Sequence, residues 1–242
     1  MKIFLAGATG VIGRRLAPLL LAAGHVVTGT TRSDDKTEML RACGVDAVVV
    51  DVFDSSALRD AVVRARPEVV IHQLTDLPQV LDPARRAESL VRNSRLRIEG
   101  TANLVAAALA AGVRRLIAQS IAFSYADGPE PHAESDPLAS AEGDAPSALT
   151  ARGVRALEEA TLQTPGIDGI VLRYGRLYGP GTWFEAPTRR GPLHVDAAAH
   201  AASLAVTRGK PGIYNIAEDD GALTVEKARK ELGFDAAFRL AA

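Results

Sequence analysis

Three glycines spaced three residues apart are the clearest candidates for ligand binding in this chain. They are Gly7, Gly10 and Gly13, in the stretch GATGVIGRRL, and they follow the apolar run KIFLA. Between a strand and a helix, the first such glycine permits a tight turn, the second lets the backbone approach a pyrophosphate, and the third lets helix and strand pack closely. The helix N-terminus adds unpaired N–H groups and a partial positive charge. The spacing predicts a dinucleotide site; the alternative is a glycine-rich turn without a ligand.

The end of the next apolar run, HVVTGTTR, bears on which dinucleotide is preferred. An acidic residue about 20 residues after the glycines would bind the ribose 2′-hydroxyl of NAD. Here Arg32 and Ser33 stand at that place, and a guanidinium beside hydroxyls suits a 2′-phosphate through charge-assisted hydrogen bonds. We therefore predict NADP(H) as the cofactor, with NAD as the alternative. The competing interpretation of Arg32 is a solvated charge that pairs with Asp34 or Asp35.

Short apolar runs alternate with helical segments along the whole sequence, and this order predicts the fold. Continuous apolar strands separated by helices are typical of a parallel sheet covered on both faces. Right-handed crossovers then give an α/β fold with a Rossmann-type doubly wound parallel sheet. The runs are KIFLA, HVVTGTTR, DAVVVD, EVVIHQL, RRLIAQS, GIVLRYG and GIYNIA.

Composition excludes several kinds of partner. With 28 basic and 29 acidic residues the net charge is -1, which gives no general attraction to nucleic acid or to an anionic membrane. No run of about 18 apolar residues is present, so we expect no membrane span. The single cysteine, Cys43, cannot form an internal disulfide, and this favours a reducing, cytoplasmic location. The five histidines lack metal-ligand spacing, and no G-x-S-x-G motif indicates a serine hydrolase.

Two segments and two histidines give further expectations. The helical pattern hardly breaks over 83–111, which corresponds to a rod of about 40 Å. The acidic segment 126–148, rich in Pro, Gly and Ser, is either a lid or substrate loop or a surface linker. His72 lies in an apolar strand and is interpreted as a core residue, and His194 is expected to help start the helix that follows it.

Over nearly its whole length the sequence resembles the extended short-chain dehydrogenase/reductase superfamily, the NAD(P)-dependent epimerase/dehydratase group. GATGVIG matches the cofactor loop of that family, DVFD its adenine-contacting acid, VVIHQLT the strand along the cofactor, and LRYGRLYGPGT the motif after the sixth strand. Together with the residues after the second strand, the resemblance implies a set of cofactor-binding residues. They are Gly7, Thr9, Gly10, Val11, Ile12, Gly13, Arg32, Ser33, Asp51, Val52, Leu74, Thr75, Asn93 and Tyr174.

The resemblance also implies a homodimer. In the family, two long helices from each subunit often form a four-helix interface. The matching helix here is 83–111, and its segment LVAAALAAGV supplies small apolar residues for close packing.

The catalytic positions depart from the family pattern. The family's proton donor is a tyrosine with a lysine four residues later, in the helix after the fifth strand. Aligning Glu158 of SALTARGVRALEEA places Thr150 and Val154 there, and no other Tyr-x-x-x-Lys occurs. Ser120 falls near the family's catalytic serine. Tyr125, five residues further, is either a substitute phenol donor or a packed tyrosine.

Two further departures concern the helix 83–111 and the substrate lobe. The family's asparagine, three residues before the Gly-Thr of the long helix, is Arg97 here, with Asn93 one turn earlier. Only about a dozen residues separate Gly181 from His194, where the family has elements that grip the substrate. We therefore expect residues 1–242 to form one NAD(P)-binding domain, to which 174–196 and 217–242 contribute a reduced substrate-binding lobe suited to a small ligand.

Four side chains near this lobe remain open to two interpretations each. Arg173 and Arg176 either bind an anionic substrate or pair with the acidic loop. Trp183 and Phe184 either line the pocket or close the small lobe.

Two functions are consistent with these residues. The first is an NADP(H)-dependent oxidoreductase or epimerase-like enzyme for a small carbonyl or sugar-type substrate, in which Ser120 orients the substrate and Tyr125 or water supplies a proton. The second is a catalytically inactive NADP(H)-binding sensor or regulatory protein. The missing tyrosine–lysine pair favours the second, and the retained Ser120 favours the first.

Overall fold

A single parallel sheet organises the chain. The computed structural model describes residues 1–78, 80 and 82–240. Seven strands form the sheet in the order β3-β2-β1-β4-β5-β6-β9, and β7 and β8 form a separate pair. The strands are β1 (Lys2–Ala6), β2 (Val26–Thr31), β3 (Asp46–Val49), β4 (Val69–His72), β5 (Arg115–Ile121), β6 (Asp168–Tyr174), β7 (Arg176–Tyr178), β8 (Pro192–His194) and β9 (Gly212–Ile216).

Helices connect the strands in the predicted alternation. The main helices are α1 (Gly13–Ala22), α2 (Thr37–Ala42), α3 (Ser55–Ala65), α4 (Arg86–Arg95), α5 (Thr101–Ala110), α6 (Pro146–Leu162), α7 (Val195–Leu204) and α8 (Glu226–Leu232). All six strand pairs of the main sheet are parallel. The predicted Rossmann-type doubly wound sheet is confirmed.

Both faces of the sheet are buried, as the continuous apolar strands predict. Side chains alternate along β1, so Ile3 and Leu5 belong to one apolar core and Phe4 belongs to the other. The first core includes Leu16 of α1, and the second includes Leu104 of α5. The two cores cover both faces of the sheet, so the loops that follow the strands gather at its carboxyl edge.

The long helical segment 83–111 follows the predicted path with one irregularity. A π-helical turn, Leu96–Gly100, joins α4 to α5. Such turns are rare and occur often at functional sites. Here the turn carries the buried residue Arg97.

The acidic segment 126–148 ends earlier than predicted, because α6 begins at Pro146. Proline is favoured in the first helical turn, where its missing N–H costs nothing. The rest of the segment is fastened to the domain: the His132 amide donates to the Ala222 carbonyl at 3.0 Å, and the Ala139 amide donates to the Ser124 carbonyl at 2.9 Å. These bonds argue against a free surface linker.

His194 starts α7 as predicted. Its Nδ1 accepts a hydrogen bond from the Asp196 amide at 3.2 Å, which caps the helix.

Candidate functional site

The glycine corner, defined as residues 7–13, joins β1 to α1 in a way that requires glycine at two positions. Gly7 has φ of +90°, and a Cβ there would lie 2.7 Å from the Gln73 carbonyl oxygen. A Cβ on Gly13 would lie 2.2 Å from the Gly7 carbonyl oxygen. Gly10 is exposed, so the backbone of the corner faces open space there. Gly7 therefore permits the tight turn and Gly13 the close packing that their spacing predicts, and the role of Gly10 toward a pyrophosphate stays a prediction.

The corner presents free donors to a ligand. Among the described residues, the amides of Val11 and Ile12 have no hydrogen-bond acceptor. Thr9 is half-buried beside them. The Gly7 amide donates to Thr30 Oγ1 at 3.1 Å, which ties the corner to β2. Unpaired N–H groups at a helix N-terminus attract anions, so the corner fits a diphosphate.

Arg32 lies directly after β2 and is loosely held. Its Nη2 lies 3.8 Å from Asp76 Oδ1, and its side chain is 56% exposed. Among the described residues it forms no ion pair with Asp34 or Asp35. Ser33 instead donates its hydroxyl to Asp35 at 2.5 Å, a bond that lowers the pKa of that carboxyl. The guanidinium of Arg32 is thus accessible to a further anion.

Four other predicted cofactor residues lie at the carboxyl ends of β3 and β4, on the same edge of the sheet as the corner. Asp51 is exposed, and its carboxylate accepts the amide two residues further on. Val52 is buried beneath it. Leu74 and Thr75 are half-buried, and the Leu74 amide donates to His72 Nδ1 at 3.2 Å.

The last two predicted cofactor residues have their polar side-chain groups bonded within the protein. Asn93 accepts the Asp76 amide at 3.0 Å. Tyr174 is 1% exposed; its hydroxyl accepts from Gln73 Nε2 and donates to the Ala198 carbonyl, each at 3.2 Å. Burial raises the pKa of Tyr174. Direct contact between either side chain and a cofactor stays a prediction.

Ser120 belongs to a buried ion-pair cluster rather than to an open surface. Its hydroxyl donates to Glu158 Oε1 at 2.7 Å, and Arg173 binds the same carboxylate at 2.9 and 2.7 Å. Ser120, Glu158 and Arg173 are 1%, 5% and 3% exposed. Burial alone would lower the pKa of Arg173, but the bonds to Glu158 raise it. Arg173 therefore pairs with Glu158 of α6, which is neither of the two partners that the sequence suggests, and its Nη1 also donates to the Glu134 carbonyl of the acidic segment at 3.2 Å.

Tyr125 connects this cluster to the surface. Its hydroxyl donates to Asn215 Oδ1 at 2.7 Å and accepts from Arg173 Nη1 at 2.9 Å. Its ring stacks on His132, with 5.0 Å between centroids. Burial raises the pKa of Tyr125. The phenol thus lies at the mouth of the cleft with its hydroxyl engaged on both sides. We call Ser120, Tyr125, Glu158 and Arg173 the buried cluster.

The two positions that correspond to the family's tyrosine and lysine offer no exchangeable proton to the cleft. The Thr150 hydroxyl donates to the Pro146 carbonyl at 2.9 Å, and Val154 is fully buried. Beside Val154, α6 packs closely on the π-helical turn: a Cβ on Gly153 would lie 3.3 Å from Arg97 Cδ. The family's proton donor is missing because these positions carry threonine and valine, and not because the positions lie elsewhere in the fold.

Arg97 of the π-helical turn and His72 of β4 are both buried polar residues, and the charge of the first acts on the second. Burial lowers the pKa of Arg97 to about 10, and the charge of Glu158 opposes this shift. Burial and the charge of Arg97 lower the pKa of His72 to about 4. His72 Nε2 lies 3.0 Å from Thr101 Oγ1. His72 is therefore a neutral core residue, as predicted. The sequence analysis gives Arg97 only as a departure from the family pattern.

A cavity of about 250 Å³ opens beyond Tyr125, at the carboxyl ends of β5 and β6. The acidic segment contributes His132 to its wall, which agrees with a substrate loop. Arg176 and Arg189 line the opposite side, and among the described residues neither pairs with a carboxylate. The sequence analysis makes no prediction for Arg189, although the pair of arginines at 189–190 is a visible signal.

The segment 179–184 lies beside the glycine corner. A Cβ on Gly181 would lie 3.6 Å from Val11 Cγ2. Arg15 Nη2 donates to the Pro180 carbonyl at 2.6 Å, and Trp183 Nε1 donates to the Pro78 carbonyl at 3.0 Å. Trp183 therefore closes the small lobe against the loop after β4.

Neither a metal site nor a membrane-spanning helix is found in the part of the chain that the structure describes. No group of three or more His, Cys, Asp or Glu side chains could hold a metal ion there. Within the same residues, every helix is too short or too polar to cross a lipid bilayer.

Comparisons with known proteins agree with the fold and the corner. Residues 3–201 match the NAD dependent epimerase/dehydratase family. A 3-diazoavenalumate denitrifying reductase from a Streptomyces species is 42% identical over 92% of this chain and 77% of its own length. The UDP-glucose 4-epimerase of Thermotoga maritima has a similar structure, with a TM-score of 0.79 and 18% identity over 99% of this chain and 94% of its own. A dTDP-glucose 4,6-dehydratase of Streptomyces venezuelae, solved with NAD, has a TM-score of 0.75 and 18% identity over 99% of this chain and 93% of its own.

Proposed function

Because the chain belongs to the NAD-dependent epimerase/dehydratase family, we propose that it is an NADPH-dependent reductase that requires no proton donor of its own. The observation that carries the proposal is a contrast within the site. The glycine corner has the geometry that a diphosphate needs, whereas Thr150 and Val154 replace the family's proton-donating pair. A reaction that consumes a hydride but no proton is compatible with both.

The corner and Arg32 would hold the cofactor. The amides of Val11 and Ile12 would bind its diphosphate, and the guanidinium of Arg32 would bind a 2′-phosphate. When bound, reduced nicotinamide supplies a hydride, which carries two electrons to an electrophilic carbon.

The relative from Streptomyces indicates the substrate class. Its name denotes a diazo-substituted carboxylate and a reduction that removes nitrogen. In the cationic diazonium form of such a substrate, the carbon–nitrogen bond breaks and dinitrogen leaves with the bonding electron pair. A carbon–hydrogen bond forms with the two electrons of the hydride, so charge balances without an added proton. We propose a small diazo carboxylate as the substrate of this chain.

Isotope transfer tests the reaction. We expect NADPH that is deuterated at the transferable position to give a product with one deuterium at the former diazo carbon, in ordinary water, with release of one dinitrogen. Mass spectrometry measures the deuterium in the product, and gas analysis measures the released dinitrogen. A product that takes its hydrogen from water would contradict the proposal.

Cofactor preference has its own test. A hydrogen bond to a charged group contributes about 1.5–3 kcal/mol, so Arg32→Ala should weaken NADPH binding roughly ten-fold or more and leave NADH binding nearly unchanged. Arg114→Ala is the matched control, because Arg114 is an exposed arginine with one acidic partner at the opposite edge of the sheet. Calorimetry with both nucleotides measures the effect, and equal loss for NADPH and NADH would exclude a 2′-phosphate contact.

The rival function is a redox-inactive NADPH sensor, and the replaced pair at Thr150 and Val154 also favours it. Tight NADPH binding without deuterium transfer to either a diazonium or a small carbonyl compound would support this rival.

We also propose a homodimer through residues 83–111. Val91, Ile98 and Leu109 of this segment are 56%, 44% and 48% exposed, so large apolar side chains along it are available for contact with a second copy. Ile98→Glu should convert a dimer to a monomer in sedimentation experiments at micromolar concentration. A monomeric wild-type protein would exclude the dimer.

A further inference from the structure

The cavity at the ends of β5 and β6 carries more positive charge than its own side chains neutralise. Arg176, Arg189 and Arg190 line it, together with a single acid, Glu130. Glu130 pairs with Arg190, whose Nη2 also donates to the Asp220 carbonyl at 3.2 Å. Among the described residues, no carboxylate pairs with the other two arginines. Two positive charges on one rim are therefore left for a ligand.

Backbone contacts hold Arg176 next to Gly191, two residues after Arg189. The Arg176 amide donates to the Gly191 carbonyl at 2.7 Å, and Arg176 is paired with Pro192 between β7 and β8. A Cβ on Gly175 would lie 2.3 Å from the same carbonyl oxygen, so this close approach depends on glycine. Burial and the charge of Arg189 both lower the pKa of Arg176. Two like charges held close together repel each other, and an anion bound between them offsets that repulsion.

Aromatic rings and small side chains form much of the rest of the cavity wall. Phe123 is 48% exposed, and the Arg176 guanidinium lies 4.6 Å from the centre of its ring. The stacked rings of Tyr125 and His132 form the neighbouring wall, with Leu223 beside them. A conjugated group fits such surfaces better than a sugar ring, which needs hydrogen-bond partners on its rim.

We propose that this cavity binds the carboxylate end of a planar, conjugated substrate, with Arg176 and Arg189 on the carboxylate and Phe123 against the conjugated part. Arginine suits a carboxylate because its donors match the two oxygens. This inference rests on the proposed function, since it assigns the end of the substrate that does not react.

Position and size support a small ligand. Phe123 follows β5 and Arg176 follows β6, and ligands of doubly wound sheets bind outside the carboxyl ends of strands. The volume of about 250 Å³ is below the range of about 300–1,000 Å³ for drug-sized ligands. A small carboxylate fits this space better than a nucleoside diphosphate sugar does.

Binding of unreactive probes tests the inference without turnover. The protein saturated with NADP+ is titrated with trans-cinnamate and with cinnamamide, its neutral counterpart, in a calorimeter. We expect cinnamate to bind roughly ten-fold or more tightly than cinnamamide. Arg176→Gln and Arg189→Gln should each reduce this preference toward unity, and should leave the affinities for cinnamamide and NADP+ unchanged.

Arg229→Gln is the control for net charge, because Arg229 is exposed and pairs with Asp219 at 3.0 Å outside the cavity. It should keep the full preference for cinnamate. Equal affinity of the wild-type protein for both probes would overturn the inference, as would a preference that survives both cavity substitutions. Displacement of cinnamate by UDP at lower concentration than by benzoate would assign the arginines to a diphosphate and also overturn it.

The two proposals fail separately. Deuterium transfer to a diazonium, without any preference for cinnamate, would contradict the carboxylate site alone. A preference for cinnamate that depends on Arg176 and Arg189, without deuterium transfer, would support the carboxylate site and contradict the proposed reaction.

Discussion

The glycine corner and the buried cluster lie at the same edge of one sheet, but they are built from different parts of the chain. The corner uses backbone: among the described residues the amides at 11 and 12 have no acceptor, and glycines at 7 and 13 occupy places where a Cβ would clash. The cluster uses side chains: Ser120, Glu158 and Arg173 satisfy one another inside the protein. A ligand can form hydrogen bonds with the free amides of the corner, whereas most polar groups of the buried cluster are already bonded to one another.

The difference explains why one region keeps the family pattern and the other departs from it. A backbone site depends on the absence of side chains, so few sequences can form it, and those that do are easily identified. A side-chain site can exchange its partners, provided that each buried charge finds another. In this protein, Glu158 lies on the same helix, α6, as Thr150 and Val154, and it forms such a closed arrangement with Arg173 of β6.

The largest effect should come from removing one partner of the buried cluster. Glu158→Leu leaves the Arg173 guanidinium buried without its carboxylate, which typically costs about 3–5 kcal/mol in the free energy of unfolding. Replacing both, as Glu158→Leu with Arg173→Met, should be less destabilising than the single substitution. Urea denaturation measures both variants. If the single variant lost less than about 1 kcal/mol, the cluster would be more hydrated than the structure indicates.

A substitution at the corner should act on cofactor binding as well as on folding. Gly7→Ala places a methyl group 2.7 Å from the Gln73 carbonyl oxygen at φ of +90°. Overpacking of this kind costs about 1–3 kcal/mol in the free energy of unfolding. The displaced backbone would also misplace the amides that face the diphosphate, so NADPH affinity should fall roughly ten-fold or more. Gly112→Ala is the matched control, because Gly112 has φ of +70° with no atom within 4 Å of the added carbon.

The control variant should lose stability through backbone strain alone and keep its affinity for NADPH. Equal affinity of the Gly7→Ala and Gly112→Ala proteins in calorimetry would separate the corner from the cofactor, and would remove the basis of the comparison.

His72, at the end of β4 between the two regions, should make stability depend on pH. Its pKa is about 4 in the folded protein and about 6.5 when unfolded, so the unfolded state binds more protons between these values. Stability is therefore full above pH 6.5 and is lost as the pH falls, by about 1 kcal/mol between pH 7 and 5.5. His72→Asn should remove this part of the slope in denaturation curves recorded across that range. An unchanged slope would mean that His72 titrates normally.

The smallest effect is expected for Tyr125→Phe, and it separates the proposed reaction from carbonyl reduction. A general acid typically contributes 10²- to 10⁴-fold in rate, whereas the proposed reaction uses none. Single-turnover rates with a diazonium substrate should change by only a few-fold, because the two hydrogen bonds of the Tyr125 hydroxyl position the ring and transfer no proton in the proposed reaction. A drop of 10²-fold with intact NADPH binding would restore Tyr125 as the proton donor.

The sequence predicts the sheet and the corner because both depend on local patterns. Apolar runs such as KIFLA and EVVIHQL mark strands by their length and boundaries, and the glycines mark a backbone that must turn and pack closely. The π-helical turn Leu96–Gly100 leaves no such signal, because its residues are also compatible with an α-helix.

The buried cluster could be predicted only in part, because its partners come from separate elements. Register pairs Ser120 of β5 with Arg173 of β6, and α6 lays Glu158 over both. A charged residue inside the apolar run GIVLRYG indicates a buried partner, but its identity depends on how α6 packs. The same reason explains why the sequence leaves Arg176 open and gives no role to Arg189.

Trp183 gives the protein an optical reporter. It is the only tryptophan in the sequence, and its indole is bonded to the Pro78 carbonyl in a segment that lies beside the corner. Reduced nicotinamide absorbs light in the region where indole emits, so fluorescence from this one chromophore would be quenched as the dinucleotide enters, while emission from the nicotinamide would rise. Cofactor occupancy could then be followed in real time, in unlabelled protein.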